Sequence, residues 1–297
     1  MKWTKEITLK EVGPRDGLQN EKKWVATEDK IAWIDRLSES GLKSIEVTSF
    51  VPPKWIPALS DSYEVATQIK RVKGVTYSAL VPNQRGLEKA IEAKIDEVAV
   101  FMSASETHNQ KNIAKSIDET FPILNEVVQN AIVAGKKTRG YISTVFGCPY
   151  EGEIDLEQVI KVSEALLESG VDELSLGDTI GIANPKQVED VLNVLLKRFP
   201  AEKVALHFHN TRGLGLANVV VAIECGITTF DCSTAGIGGC PYAPGASGNV
   251  ATDDLLYMLE RIGIETGVNL EKIIAAAQFI ESKLGRPLPS YSLQMNR

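Results

Sequence analysis

A repeating arrangement of apolar and polar positions runs along most of the chain. An amphipathic segment ends at a glycine or another small residue, a short polar link follows, and then a β-rich run begins. The arrangement recurs in LSESGLKSIEVTSF, AIEAKIDEVAVFMS, NAIVAGKKTRGYISTVFG, LLESGVDELSLGDT and AIECGITTFDCSTAG. Because glycine after a helix favours a left-handed C-terminal cap, the pattern predicts a series of helix–strand units.

Amphipathic helices are predicted between the β-rich runs. Over residues 27–40, Thr27 is a candidate N-terminal cap, acidic residues follow in the first turn, and apolar residues recur at helical spacing. Residues 155–169 repeat this design. The sequence therefore predicts helices that cover a sheet with their apolar faces.

About eight strands are predicted, near residues 7–13, 44–50, 75–81, 97–103, 138–145, 173–178, 204–209 and 228–234. Eight strands alternating with helices over roughly 250 residues are typical of a (β/α)8 TIM barrel. The alternative is a doubly wound open sheet, but GPRDGLQNE after the first strand lacks a dinucleotide-binding glycine pattern. We expect one domain of the α/β class, with the barrel over about 5–265 and additional C-terminal helices over about 266–297.

Composition and charge narrow the function classes. The 297 residues are 43% hydrophobic, enough for a large core, and the formal net charge is −7. Nucleic acids and anionic membrane surfaces bind basic proteins, so we expect no partner of either kind. An anionic small molecule would need a local basic pocket.

The sequence also gives an expectation for location. The N-terminal MKWTKEITLK lacks the apolar stretch of a signal peptide, and no apolar run approaches the ~20 residues of a membrane span. The four cysteines, Cys148, Cys225, Cys232 and Cys240, suggest reduced thiols rather than a disulfide framework. These features favour a cytoplasmic protein.

Polar residues occur at the predicted C-terminal ends of strands, where TIM barrels carry their chemistry. Arg15, Asp16 and Gln19 follow the first strand, and Asp178 ends the sixth. Glu46 lies within the second strand, between apolar neighbours that alternation directs to the other face. Two interpretations remain for Glu46 and Asp178: they act on a substrate, or they are only buried partners of Arg15.

The HFH motif in the seventh strand is a candidate metal site. Alternation places His207 and His209 on one face, about 6 to 7 Å apart, where two imidazoles can chelate one divalent ion. The alternative is one structural histidine and one exposed by chance. Together with Asp16 and an amide or carboxylate from the last loop, the set suits Mg²⁺ or Mn²⁺ better than a structural zinc ion.

A glycine-rich run, AGIGGCPYAPGASGN at residues 235–249, follows the eighth strand and is predicted to fold over the barrel mouth. Within it, Cys240 is a candidate acid or nucleophile, and Asn249 is a candidate metal ligand through its amide oxygen. The alternative is a solvent-exposed turn with an unimportant cysteine. Cys148, in a similar GCPY, is interpreted as structural.

Several long motifs resemble the 3-hydroxy-3-methylglutaryl-CoA (HMG-CoA) lyase family, over essentially the whole chain. They are EVGPRDGLQNE, SFVPPKW, GYISTVFGCPYEG, LGDTIG, HFHNTRGLGLAN and STAGIGGCPYAPGASGN. The resemblance extends to a wider group of TIM-barrel metal-dependent lyases and Claisen-type synthases that share an Arg-Asp pair after the first strand. It implies cleavage of HMG-CoA to acetyl-CoA and acetoacetate with Mg²⁺ or Mn²⁺, in leucine breakdown or ketone production, by a homodimer.

The resemblance also implies roles for the candidate residues. The implied metal ligands are Asp16, His207, His209 and Asn249. Arg15 would face the thioester oxygen, Gln19 would contact substrate, and Cys240 would act from the loop. Glu46 and Asp178 match positions near the reacting centre, whereas Asp253 stands where the animal enzymes are expected to have glutamate.

The chemistry of retro-Claisen cleavage leaves some roles open. His207 or Asp178 would take the hydroxyl proton, Arg15 would stabilise the enolate, and Cys240 would protonate it. Basic residues for the CoA phosphates would come from Lys22, Lys23 and Lys111, each of which could equally be a solvated surface lysine.

Two rival functions remain at this stage. One is a Claisen-type acyl-CoA synthase of the same barrel group that acts on an α-keto acid. The other is a catalytically inactive barrel that serves as a binding or scaffolding module.

Overall fold

Eight parallel strands form a closed barrel in a computed structural model that describes residues 3–239 and 248–296. Each strand pairs with the next, and β8 pairs with β1 from Thr8↔Thr229 to Glu11↔Cys232. The strands are β1 Thr8–Glu11, β2 Ser44–Ser49, β3 Thr76–Leu80, β4 Glu97–Ser103, β5 Lys137–Ser143, β6 Glu173–Gly177, β7 Val204–His207 and β8 Thr229–Cys232. Closure confirms the predicted TIM barrel and rules out the open sheet.

Helices surround the barrel and continue beyond its last strand. Within the described residues they are α1 Thr27–Ser38, α2 Ser62–Gln68, α3 Gln84–Glu92, α4 Glu106–Ile113, α5 Ile117–Val133, α6 Leu156–Glu168, α7 Pro185–Leu195, α8 Gly215–Glu224, α9 Thr252–Arg261, α10 Leu270–Leu284 and α11 Tyr291–Met295. Helix α10 packs on α1, with the Arg36 guanidinium 4.5 Å from the centre of the Phe279 ring. Among these helices, none has the length and apolar character to cross a membrane.

All eight predicted strands are present, but four of them, β1, β5, β7 and β8, end two residues earlier than expected. They stop at Glu11, Ser143, His207 and Cys232, each just before a turn that carries polar residues. The predicted helix-ending glycines Gly41, Gly135, Gly170 and Gly226 all have positive φ. In the AIEAKID unit the same left-handed conformation is taken by Lys94, at φ 57°.

The prediction that Thr27 caps α1 is wrong. Ala26 is the N-cap residue and offers no side-chain hydrogen bond, and Thr27 is the first helical residue. The Thr27 hydroxyl instead donates to Asp61 Oδ2 at 2.9 Å, and the same carboxylate bonds Lys30 Nζ at 2.7 Å. The Thr27 hydroxyl therefore bonds the carboxylate partner of Lys30 and does not cap the helix.

The barrel interior differs from the layer outside it. The large apolar core fills the space between the strands and the helices, whereas the separate interior cluster consists of Leu80, Ala99 and Tyr141 with two partly buried neighbours. Below that cluster lie the charged side chains Lys10, Glu97, Arg139, Glu173 and Asp231, joined by ion pairs. A chain of buried and partly buried charges therefore lies beneath the mouth of the barrel.

Candidate active site

The turn after β1 carries two charged side chains to the mouth of the barrel. The amides of Arg15, Asp16 and Gly17 all donate to the Val12 carbonyl, at 3.1, 2.7 and 3.3 Å. Residues Gly13–Gly17 therefore form one wide π-type turn, a geometry that often occurs at functional sites. The turn places Arg15 and Asp16 side by side.

Arg15 is held in a fixed plane by carboxylates and an aromatic ring. Its Nε donates to Glu46 Oε2 at 2.7 Å and its Nη1 to Asp16 Oδ1 at 2.8 Å, and its guanidinium carbon lies 5.1 Å from the centre of the Tyr141 ring. Burial alone would lower the pKa of Arg15, but Glu46 and Asp16 raise it, so the group stays charged. The result is a preorganised cation at the barrel mouth.

Glu46 lies at an irregularity in the sheet. The β2–β3 register shifts between Glu46 and Thr48, and such bulges redirect side chains next to active sites. Besides Arg15, Glu46 Oε2 accepts a hydrogen bond from the Tyr141 hydroxyl at 3.0 Å. Burial raises the pKa of Glu46. The positive charge of Arg15 acts in the opposite direction but does not cancel this effect.

Asp16, His207 and His209 converge beside Arg15. One ligand atom from each lies within 4.8 Å of the others, and the two imidazole centres are 5.3 Å apart. Burial would raise the pKa of Asp16, but Arg15 and the histidines lower it. Burial and the neighbouring His207 lower the pKa of His209 to about 4. An ionised carboxylate and a neutral imidazole are the forms that bind a metal ion.

The fourth predicted metal ligand, Asn249, lies beside this group. Asn249 pairs with His209 as an isolated β-bridge, and its Nδ2 donates to Asp16 Oδ2 at 2.8 Å. Within the described residues, Asn249 Oδ1 and His209 Nδ1 are buried without a hydrogen-bond partner. Two orphaned buried atoms beside a carboxylate fit a cation, which would satisfy all three together.

The described ends of the glycine-rich run meet at the same place. Gly238 has φ +107°, and a Cβ there would lie 2.6 Å from Asn249 Nδ2 and 3.1 Å from Gly17 Cα. Only glycine permits so close an approach. The predicted acid Cys240 belongs to residues 240–247 and lies outside the described residues.

A cavity of about 540 Å³ opens above these groups. Its inner part is lined by Arg15, Asp16, Leu80, Phe101, Tyr141, Ser143, Ser175, His207 and His209. Its outer part is lined by Trp55, Asn112 and Lys115 among others. Apolar walls with a few convergent polar groups are typical of a small-molecule site.

Comparison with known proteins identifies the family to which this cavity and its polar groups belong. Residues 6–280 match the family model described as HMGL-like. The hydroxymethylglutaryl-CoA lyase YngG of Bacillus subtilis is 63% identical over 295 residues, covering 99% of each chain. The chain belongs to the hydroxymethylglutaryl-CoA lyase family. The crystal structure of the B. subtilis HMG-CoA lyase superposes with a TM-score of 0.99, at 63% identity, covering 100% of this chain and 99% of that one.

A second relative carries ligands. The HMG-CoA lyase from Acinetobacter baumannii, in complex with coenzyme A and 3-methylmalate, is 42% identical with a TM-score of 0.94. The structural match covers 100% of this chain and 97% of the A. baumannii chain. These relatives, which match along essentially the whole chain, are HMG-CoA lyases, so the comparisons do not favour the synthase alternative.

This member of the lyase family brings most of the predicted site residues together. Besides the groups above, Gln19 lines the cavity, and its Nε2 donates to Asp16 Oδ1 at 2.7 Å. Gln19 is thus a neighbour of the candidate metal site as well as a candidate substrate contact. Cys148, interpreted as structural, is buried, with its Sγ 3.0 Å from Ser105 Oγ.

Asp178 lies just behind the cavity wall. Its carboxylate accepts hydrogen bonds from the amides of Ile182 at 2.9 Å and Ala183 at 3.2 Å, which hold the turn after β6. Its neighbours Gly177 and Thr179 line the cavity, whereas Asp178 is 1% exposed and is not among the described lining residues. Burial raises the pKa of Asp178 to about 6, so this carboxyl exchanges a proton near neutral pH.

The predicted CoA-binding lysines are not at the cavity. Lys22 and Lys111 are exposed, and the Lys111 ammonium lies 4.9 Å from the centre of the Tyr150 ring. The lysine among the described lining residues is Lys115, between α4 and α5. Sequence reasoning missed Lys115 because nothing in the local pattern distinguishes it from other polar link residues.

Three further polar residues were missed inside the barrel: Arg139, Tyr141 and Asp231. Each alternates with an outward-facing residue of its strand, Gly140 in β5 and Phe230 in β8. A charged residue next to an outward-facing glycine or phenylalanine was the available signal for Arg139 and Asp231. Alternation places it on the inner face, as it did for His207.

Proposed function

We propose that this chain is an HMG-CoA lyase that cleaves 3-hydroxy-3-methylglutaryl-CoA to acetyl-CoA and acetoacetate by a retro-Claisen reaction. The observation that carries the proposal is the convergence of Asp16, His207 and His209 beside the guanidinium of Arg15, which Glu46 and Asp16 hold in place. The reaction needs a group that acidifies a tertiary alcohol and a cation that accepts enolate charge. Residues that could meet both needs line one cavity, which supports the proposal.

Asp16, His207, His209 and Asn249 would hold the divalent ion, for which Mg²⁺ or Mn²⁺ suits the mixed oxygen and imidazole ligands. When bound, such an ion polarises substrate oxygens and lowers the pKa of a hydroxyl group. Asp16 has a second task, because it also bonds Arg15 and so links the ion site to the enolate site.

Arg15 would stabilise the thioester enolate that forms as the carbon–carbon bond breaks. Glu46 and Asp16 occupy its Nε and Nη1, so the guanidinium is oriented before substrate binds. A preorganised donor of this kind contributes about 3 to 4 kcal/mol of transition-state stabilisation. Glu46 would contribute by holding Arg15 rather than by touching substrate.

Two proton transfers are needed. A base removes the proton of the substrate hydroxyl, and the candidates are Asp178, whose pKa of about 6 suits the role, and His207. An acid then protonates the acetyl-CoA enolate at carbon, and we propose Cys240 for this step. Product release would follow once both protons have moved.

The substrate would enter as an acyl-CoA thioester, and the binding of coenzyme A by the A. baumannii relative supports this. Gln19 would contact the acyl portion at the inner cavity. Lys22 and Lys111 stay candidates for the CoA phosphates only if they act outside the cavity, whereas Lys115 is already at its wall.

Further proposals concern organisation and setting. We propose a single lyase domain, with the barrel over about 5–265 and the helical extension over about 266–297. We also propose a cytoplasmic homodimer that acts in leucine catabolism and has no nucleic-acid or membrane partner. The net charge of −7 supports the last point.

The test is an assay of the purified chain with HMG-CoA and Mg²⁺ or Mn²⁺, with and without chelator. We expect acetoacetate and acetyl-CoA in equal amounts, abolished by chelation, and no product from Asp16→Asn. Condensation of acetyl-CoA with an α-keto acid, without acetoacetate formation from HMG-CoA, would overturn the proposal in favour of a synthase. Absence of both reactions would favour the inactive scaffold.

A further inference from the structure

The two nitrogens of His207 face different carboxylates. Nδ1 lies 3.2 Å from Asp231 Oδ2, below the ring and inside the barrel. Nε2 faces the cavity, 3.9 Å from Asp16 Oδ2. His207 therefore stands between the candidate metal site and the charged interior of the barrel.

Asp231 is fixed more firmly than the histidine it contacts. Oδ1 accepts a hydrogen bond from Arg139 Nη2 at 2.7 Å, and Oδ2 accepts from Arg139 Nη1 at 3.2 Å and from Ser175 Oγ at 2.8 Å. The side chain is 0% exposed. A bidentate arginine pair sets both the position and the plane of a carboxylate.

This arrangement determines which His207 nitrogen carries the proton. A carboxylate paired with a guanidinium only accepts hydrogen bonds, so the contact with Asp231 requires a proton on Nδ1. The neutral ring then has its lone pair on Nε2, the nitrogen that faces Asp16 and the cavity. That nitrogen is the one a metal ion would need.

We propose that Asp231, clamped by Arg139 and Ser175, is a positioning residue that holds His207 as the Nδ1-protonated tautomer and aims Nε2 at the metal position. The inference rests on the proposed function, because it takes His207 as a metal ligand. It also reduces the number of candidates for the base that accepts the substrate proton. With Nδ1 bonded to Asp231 and Nε2 used for the ion, His207 has no nitrogen left to accept the substrate proton.

The barrel offers a matched control. Glu173 pairs with the same guanidinium from its other side, with Arg139 Nε 2.7 Å from Glu173 Oε1. Among the described residues, its other ionic partner is Lys10, at 2.9 Å. Glu173→Gln therefore removes one partly buried carboxylate from Arg139 without removing the contact between Asp231 and His207.

The first experiment observes the tautomer directly. Long-range ¹H–¹⁵N correlation spectra of the metal-free full chain distinguish Nδ1–H from Nε2–H imidazoles, and the sequence contains only 3 histidines. His207→Gln assigns the signal, and pH is raised until the ring is neutral. We expect the Nδ1–H form for wild type. An Nε2–H form would overturn the proposal, and this reading on wild type does not depend on a variant of Asp231.

The second experiment measures Mn²⁺ binding by calorimetry, with thermal unfolding of each variant as the folding control. We expect Asp231→Asn to bind Mn²⁺ about 10- to 100-fold more weakly than wild type, as for other partners of ligating histidines. Glu173→Gln should bind as wild type does. Equal weakening by both variants, or wild-type affinity in Asp231→Asn, would contradict the proposal.

The two experiments separate this inference from the proposed function. If wild type binds no Mn²⁺ and cleaves no HMG-CoA, the proposed function fails whatever tautomer is observed. If wild type binds Mn²⁺ and is active but shows the Nε2–H tautomer, only the role of Asp231 fails. Should Asp231→Asn not fold, Ser175→Ala removes one bond of the clamp and is expected to weaken Mn²⁺ binding in the same direction.

Discussion

The two faces of strand β5 have opposite chemistry. On the inner face, Arg139 joins the ion-pair network, and Tyr141 lies with its ring between the Arg139 and Arg15 guanidiniums, 4.7 and 5.1 Å from them. On the outer face, a Cβ on Gly140 would meet the side chains of Leu166 and Leu174 at 3.2 and 3.4 Å. One strand therefore belongs to both a charged interior and an apolar shell.

The difference indicates a division of labour. Burial of apolar surface in the shell stabilises the fold, because each side chain removed from water contributes directly. Buried ion pairs contribute little net stability, since desolvation offsets their attraction. A barrel that keeps so many charges inside is therefore using them to orient groups at the mouth. Changes to interior groups that contact the residues at the mouth should affect activity most, and changes in the apolar shell should affect stability most.

The largest expected effect is on catalysis, in Arg15→Gln. Loss of the oriented guanidinium should lower kcat about 100- to 1,000-fold, as for removal of other preorganised donors. Steady-state assays of acetoacetate formation would measure it. Arg36→Gln is the matched control, because Arg36 stacks on Phe279 outside the barrel. A kcat for Arg15→Gln within ten-fold of wild type would contradict the division of labour and the role of Arg15.

A comparable loss, of stability rather than rate, is expected for Leu166→Ala in the shell. Leu166 is 1% exposed and packs against the outer face of β5. Truncation should cost about 2 to 5 kcal/mol of unfolding free energy, through lost burial and the cavity left behind. Denaturant unfolding measures the loss, and kcat below the transition should match wild type. A reduced kcat in the folded variant would show that the shell also tunes the site.

The same contrast explains what sequence could predict. The shell is encoded by local periodicity, so all eight strands and the covering helices follow from pattern. His207 and His209 followed from alternation, and Arg15 and Asp16 from their place after β1. The clamp on His207 did not follow, because Asp231 and Arg139 lie 92 residues apart and meet only when the barrel closes. Sequence alone likewise could not choose Lys115 over Lys111.

A third prediction concerns an exception in the shell, the carboxyl of Asp253 at the start of α9. Asp253 is 0% exposed, its Oδ1 accepts from the Ala235 amide at 2.9 Å, and its Oδ2 contacts Ser290. Burial raises its pKa to about 6, against about 3.9 in an unfolded chain. A raised acid stabilises the fold while protonated, and this contribution is lost as pH rises through 6.

The comparison with Asp253→Asn isolates this group, because asparagine stays neutral. Relative to that variant, wild type should lose up to about 3 kcal/mol of unfolding free energy between pH 4 and pH 7. Urea unfolding of both chains across this range gives the difference. A difference that does not change with pH would mean that Asp253 is ionised in the fold, held by its hydrogen bonds.

The smallest expected effect is at the outer cavity. Lys115 lines the wall, so Lys115→Ala should raise KM for the anionic acyl-CoA by up to about five-fold, the size of an exposed ion pair of about 1 kcal/mol. Lys111→Ala should leave KM unchanged, because its ammonium lies on the Tyr150 ring. The Lys115 effect should diminish at high salt, where screening weakens exposed pairs. If KM instead rises in Lys111→Ala or Lys22→Ala and not in Lys115→Ala, the phosphates bind outside the cavity. In that case the charged groups inside the barrel would contact only the acyl part of the substrate. Residues on the outer surface would then provide the contacts that select for coenzyme A.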